Sequence, residues 1–198
     1  MEFKFLGTKI YISFLFAALV CFMIALDRTK LILPLIGGTV IHEGAHLLCM
    51  WAIGCQPKAV RLIPTSVQIV RNVTFKKYGE ELIAAAGPLA NILTFLVFLV
   101  DYSFCHSEGI LKIALINLCI ALFNLLPVWG LDGGTLIACL ITRFSRDPYK
   151  GQRVVRIITL IFGVFFFGVG VFLCIRGNVN LSFFAIALYL IIGALIFK

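Results

Sequence analysis

Apolar residues in this chain come in runs close to membrane length, with the polar residues gathered between them. A membrane-crossing helix needs about 20 predominantly apolar residues. Stretches 10–26, 31–53, 80–100, 110–126, 155–175 and 181–197 approach that length. The pattern predicts an all-α polytopic membrane protein with about six transmembrane helices. Two intervals break it. Residues 58–77, KAVRLIPTSVQIVRNVTFKK, carry β-branched and aromatic residues in partial alternation, at Val67, Ile69, Val73 and Phe75. That predicts a short strand or hairpin after the second helix. Residues 143–156, RFSRDPYKGQRVVR, are the longest hydrophilic loop and are basic.

Composition agrees with the pattern. The chain is 62% hydrophobic and 13% charged, with a mean hydropathy of +1.09. A soluble domain is about 45–50% apolar and about 25% charged. The start, MEFKFLGTK, leads into an apolar run with no small-residue cleavage pattern, so no cleavable signal peptide is expected. With no linker or repeat in view, the expectation is one membrane-embedded domain over residues 1–198. The seven cysteines are scattered and form no C-x-x-C pair. They read as small buried hydrophobes rather than a disulfide framework or a thiolate site.

The net charge of +8 raises nucleic acid as a partner, but its distribution favours a bilayer. With six spans, all of the 17 Lys and Arg except Arg28, Lys30, Lys112 and Arg176 fall on the side of the two termini. By the positive-inside rule both termini are then cytoplasmic, in the cell membrane of what reads as a bacterium. No nucleic-acid partner is expected.

One of the apolar stretches contains HEGAH, residues 42–46. Ionisable side chains at bilayer depth cost about 2.5–3.5 kcal/mol on insertion scales and mark function by default. On a helix, His42 and His46 share one face a turn apart and can offer two imidazole nitrogens to one cation. Glu43 flanks that face. This is the His-Glu-x-x-His arrangement of zinc hydrolases, with the glutamate as general base. Catalytic zinc usually has three protein ligands. His106 follows a segment that runs outward, away from the pair. Asp132, in LLPVWGLDGGTLIACL, lies on the cytoplasmic side next to Gly133 and Gly134. Side and depth favour Asp132 as third ligand; the plainer alternative is a helix cap.

With these residues in hand, the sequence resembles the site-2 protease family of intramembrane zinc metalloproteases, and most nearly the branch of the stage IV sporulation protease that processes a pro-sigma factor. The resemblance is carried by HEGAH at 42–46, AAAGPLAN at 84–91 and NLLPVWGLDGG at 124–134. Asn124, Pro127, Asp132 and Gly133 match the family's Asn-x-x-Pro-x-Pro-x-x-Asp-Gly pattern; Trp129 stands where the second proline is common. The resemblance implies one Zn2+ per chain on His42, His46 and Asp132, with Glu43 activating water. It implies a catalytic core over about 31–143. Asn124 falls where the family has an asparagine near the site. Gly87, Pro88 and Asn91 match the element packed beside the catalytic helix. The implied activity is proteolysis of membrane-associated proteins near the cytoplasmic face, such as a pro-sigma or anti-sigma factor. Membrane regulatory proteins gating access are implied partners. The relatives' CBS and PDZ domains are not expected here. A catalytically silent or transporter-like zinc protein on the same fold stays open as the alternative. Gly37 and Gly38 read either as a close-packing site or as a hinge.

Overall fold

The computed structural model describes residues 2–5, 8–55, 57, 59–63, 66–70, 79–145, 147–177 and 181–196. Chain order is β1 (Glu2–Phe5), β2 (Thr8–Ile12), α1 (Phe14–Leu26), α2 (Ile32–Ala52), β3 (Ala59–Ile63), β4 (Ser66–Val70), α3 (Gly79–Cys105), α4 (Glu108–Asn124), α5 (Asp132–Phe144), α6 (Lys150–Ile175) and α7 (Leu181–Ile196). The strands form one sheet in the order β1-β2-β3-β4. β2 and β3 are parallel, with Tyr11 opposite Arg61, and β3 and β4 are antiparallel, with Arg61 opposite Gln68. Val73 and Phe75 of the 58–77 interval lie outside the described residues.

Three helices among the described residues, α2, α3 and α6, are long and apolar enough to cross a membrane. Of the about six spans expected, these three are supported. α1, α4 and α7 have 13, 17 and 16 residues. At 1.5 Å per residue they extend about 20–26 Å, short of a hydrocarbon core about 30 Å thick. Residues 10–12, allotted above to the first helix, belong to β2, and α1 begins only at Phe14. α4 ends at Asn124, and the next seven residues, with Pro127 among them, are not helical. Hydropathy counts apolar residues without regard to backbone state, so it ran through both boundaries. It also passed over α5, a further helix.

The chain forms two compact units, residues 1–121 and 122–198, divided within α4. In the first unit, α2 packs on α3. α2 is closed at both ends by local chemistry. Asp27 accepts hydrogen bonds from the Thr29 and Ile32 amides at 3.0 and 2.8 Å, satisfying donors at the helix start. At the other end Gly54 has φ of 75°, and the amides of Gly54 and Cys55 donate to the carbonyls of Trp51 and Met50. This is a Schellman ending, which needs a residue tolerant of left-handed φ. In α3, Pro88 interrupts the helical ladder because it has no amide hydrogen to give.

In the second unit, α6 packs on α7 through small residues. A side chain at Gly163 would meet Ile191, and one at Gly170 would meet Phe183 and Phe184. Small residues at such points allow the close approach that drives helix association in lipid.

The distribution of polarity is that of a membrane protein. His42, His46, Asn91, Asn117 and Thr159 are buried, while Leu33, Val40, Leu48, Leu89, Leu93 and Val97 are exposed. Polar groups inside and apolar groups outside suit a solvent of lipid tails.

Candidate metal centre

The site in the first unit follows from two helical repeats. On α2, His42 and His46 are one turn apart, and their rings stand edge to face with centroids 4.7 Å apart. On α3, Ile83, Gly87 and Asn91 recur every four residues and line the facing side. The Ile83 carbonyl accepts from His46 Nδ1 at 2.6 Å. The Asn91 amide oxygen lies 2.7 Å from His42 Nδ1, and its amide nitrogen donates to the Gly38 carbonyl at 3.0 Å. Both acceptors face Nδ1, so both imidazoles carry their proton there. Each Nε2 therefore presents a lone pair.

Those two Nε2 atoms converge to 3.2 Å. Two nitrogens bound by one tetrahedral zinc at about 2.0–2.1 Å stand about 3.3 Å apart. The donor pair is thus oriented and spaced for such an ion, and the residues fit it. An acceptor behind each metal-ligating histidine is the usual means of fixing its tautomer and ring plane.

Gly87 lies against both rings. A Cβ there would meet His46 Nε2 and would come within 2.7 Å of His42 Cε1. Gly87→Ala is expected to lower zinc affinity by at least the roughly 10–100-fold typical of a lost supporting partner. Competition with a chromogenic chelator measures it. Gly38 is a close-packing position: a Cβ would come within 2.7 Å of Ile120 Cδ1. Gly37 faces open space, with nothing within 4 Å of such an atom.

Glu43 is half-buried, one residue along α2 from His42. Asn124, Pro127, Asp132 and Gly133 are placed together at one turn of the second unit. Asn124 is the last residue of α4, and Asp132 the first of α5. The cap of α5 is Leu131, so Asp132 stands inside the first turn and not at the cap position considered above. A carboxylate there is favoured by the helix dipole, and Asp132 Oδ2 is buried. The turn is tightly folded. A Cβ at Gly133 would run into the backbone of Leu125 and Leu126, and one at Gly134 into the Val128 carbonyl.

Trp129 departs from the family pattern for a visible reason. Its backbone amide donates to Thr159 Oγ1 at 2.8 Å, and that hydroxyl donates to the Val155 carbonyl at 2.8 Å. A proline at 129 has no such donor. The Trp129 ring also lies against Gly193, where a Cβ would be 3.0 Å from it. Thr159→Val removes the acceptor from a turn amide and is expected to destabilise the chain by about 1–3 kcal/mol. Thermal unfolding in detergent, compared with Thr159→Ser, reads it.

The reading of the sequence missed the Ile83 carbonyl, Asn117 and Thr159. A backbone carbonyl leaves no residue-type signal. Asn117 and Thr159 do leave one, as polar side chains inside apolar helices.

Fold and site together describe a helical membrane protein with a pair of buried, converging histidines on the His-Glu-x-x-His pattern. Residues 105–169 match the model of peptidase family M50. Stage IV sporulation protein FB of Bacillus subtilis is 31% identical over 118 residues, which are 58% of this chain and 41% of that protein. A zinc metalloprotease of Methanocaldococcus jannaschii is 25% identical over 153 residues, 71% of this chain and 45% of that protein. The chain thus spans less than half the length of these two relatives. The solved site-2 protease from Methanocaldococcus jannaschii shares the fold, with a TM-score of 0.68 and 21% identity over 98% of this chain and 93% of that one. The likeness to peptidase family M50 thus lies in residues 105–169, and the likeness to the solved site-2 protease is one of fold.

Proposed function

We propose that this chain is an intramembrane zinc metalloendopeptidase acting on membrane-associated or transmembrane proteins near the cytoplasmic face. The observation that carries the reading is the converging Nε2 pair, each imidazole held by an acceptor on its other nitrogen. The proposed ligands of a single zinc ion are His42, His46 and Asp132, a set of two imidazoles and one carboxylate of the kind zinc hydrolases use.

Zinc bound there would polarise a water molecule and the scissile carbonyl. The chain's own residues do the rest. Glu43 takes a proton from the attacking water as general base. The water oxygen bonds to the carbonyl carbon, the carbon–nitrogen bond breaks, and Glu43 passes the proton to the leaving amine. Asn91 and the Ile83 carbonyl keep the imidazoles in the ligating tautomer throughout. Gly87 leaves room for both rings beside α3. Asn124, Pro127 and Gly133 shape the turn that presents Asp132.

A helical substrate hides its amides and must be locally extended. β4 is an edge of the sheet, and an extended peptide added along such an edge has its backbone groups satisfied. The basic asymmetry supports cytoplasmic termini. Sporulation and a pro-sigma or anti-sigma substrate are the context that the sporulation relative brings to this chain, and membrane proteins gating access are the partners the resemblance adds.

The test is reconstitution of the purified chain in proteoliposomes with single-span fusion substrates, followed by mass spectrometry of the fragments. The expected result is zinc-dependent cleavage at one site close to the cytoplasmic end of the substrate span. Stoichiometric zinc with no cleavage of any substrate captured by Glu43→Gln would support a silent zinc protein instead.

A further inference from the structure

We propose that Asn117, on α4, is a positioning residue that sets the tautomer of His42 through Asn91 and so tunes metal affinity from a third helix. The inference rests on the metal reading above, and concerns a residue that stands one hydrogen bond behind Asn91.

The chain of hydrogen bonds has a direction fixed at its far end. Asn117 Nδ2 donates to the Ile113 carbonyl one turn back, at 2.9 Å. A carbonyl only accepts, so the Asn117 amide is turned with Oδ1 toward α3. That oxygen accepts from Asn91 Nδ2 at 2.8 Å. The other Nδ2 hydrogen of Asn91 goes to the Gly38 carbonyl at 3.0 Å. With both amide hydrogens engaged, Asn91 can only offer Oδ1 to His42, at 2.7 Å. His42 must then donate from Nδ1, and its lone pair lies on Nε2.

Each link is buried: Asn91 is 0% and Asn117 1% exposed. In such surroundings an amide that turns over leaves donors facing donors, at a cost of about 1–3 kcal/mol per unsatisfied group. Two locks hold the Asn91 amide, the Gly38 carbonyl and Asn117 Oδ1. Removing one lets the reversed amide compete. Reversed, Asn91 would donate to His42 Nδ1 and drive the proton to Nε2, where it blocks the metal. The small side of Gly38 keeps this arrangement close, since a Cβ there would stand 3.2 Å from Asn117 Oδ1.

The design of the test uses an acceptor that cannot be reversed. A carboxylate at position 91 accepts from His42 in either orientation. Asn117→Leu should weaken zinc binding by about 10–100-fold in chelator competition, the range for lost outer partners. Adding Asn91→Asp to Asn117→Leu should restore part of that loss, the remainder reflecting the carboxylate oxygen left facing the Gly38 carbonyl. The same Asn91→Asp change alone should weaken binding, because its carboxylate then faces two acceptors, Asn117 Oδ1 and the Gly38 carbonyl. This reversal of sign separates tautomer control from a packing defect, which a carboxylate does not repair. The second readout needs no metal. Imidazole 15N chemical shifts of the metal-free chain in micelles should show His42 protonated at Nδ1 in the wild type, with Nε2 protonation appearing in Asn117→Leu. Unchanged shifts in Asn117→Leu, or zinc binding in that variant as tight as in the wild type, overturns the proposal. No zinc binding by the wild type, with the tautomer change still seen in Asn117→Leu, would instead defeat the metal reading and leave the relay standing.

Discussion

Glu43→Gln is expected to keep zinc at the wild-type level and to lose proteolysis by at least about 10²–10⁴-fold, the contribution of a positioned general base. The amide fills the space of the carboxylate, so the fold and the imidazole pair should be undisturbed. Glu43 is not among the proposed ligands; those nitrogens belong to His42 and His46, whose supports are Asn91 and Ile83. What the substitution removes is a site that can accept a proton. Metal analysis and single-turnover cleavage on one preparation separate the two effects. Loss of zinc along with activity would make Glu43 a ligand or a structural support, and unchanged cleavage would remove it from the mechanism.

Asp132→Ala should lose both zinc and activity, while His106→Ala should keep both. Removing a carboxylate ligand leaves two imidazoles, and the loss in affinity should exceed the roughly 10–100-fold expected for an outer partner. Asp132 is well prepared for the role on its own terms. It opens α5 with a buried oxygen, on a turn that only glycines at 133 and 134 can make. His106 is prepared for none. It is exposed, sits just past the end of α3 with φ of 50°, and has the Tyr102 ring 5.9 Å away. It is 19 residues beyond Gly87 in the chain, about 28 Å along a helix at 1.5 Å per residue. Both variants go through the same chelator competition and cleavage assay. Full zinc and activity in Asp132→Ala, with both lost in His106→Ala, would refute the ligand set.

The features legible in the sequence were those with short periods. The i, i+4 spacing puts His42 and His46 on one face; Gly87 and Asn91 came from the resemblance, and their place opposite the two rings came with the structure. The membrane character followed from hydropathy alone. Helix ends were less legible. A run such as ILKIALINLCIALFNLL is apolar on average to its end, yet α4 stops at Asn124 where the chain turns toward Pro127. At the N-terminus, residues 8–12 pair with β3 some fifty residues on, and nothing local announces such a partner. The Ile83 carbonyl is a backbone group with no residue-type signal. Asn117 is an amide in an apolar helix, a signal that was passed over because its meaning depends on Asn91, on another helix. Trp129 looked like a departure from a motif; its amide bond to Thr159 gives that departure a physical basis.

The measurement that bears most directly on the account is a zinc titration of the stripped chain with cleavage followed in the same sample. The purified protein in proteoliposomes is depleted of metal by a chelator and zinc is returned in steps. The account predicts no cleavage at the start, a linear rise, and a plateau at one zinc per chain, with Glu43→Gln binding the same single ion and cleaving nothing. Cleavage that persists in the fully depleted protein would contradict it.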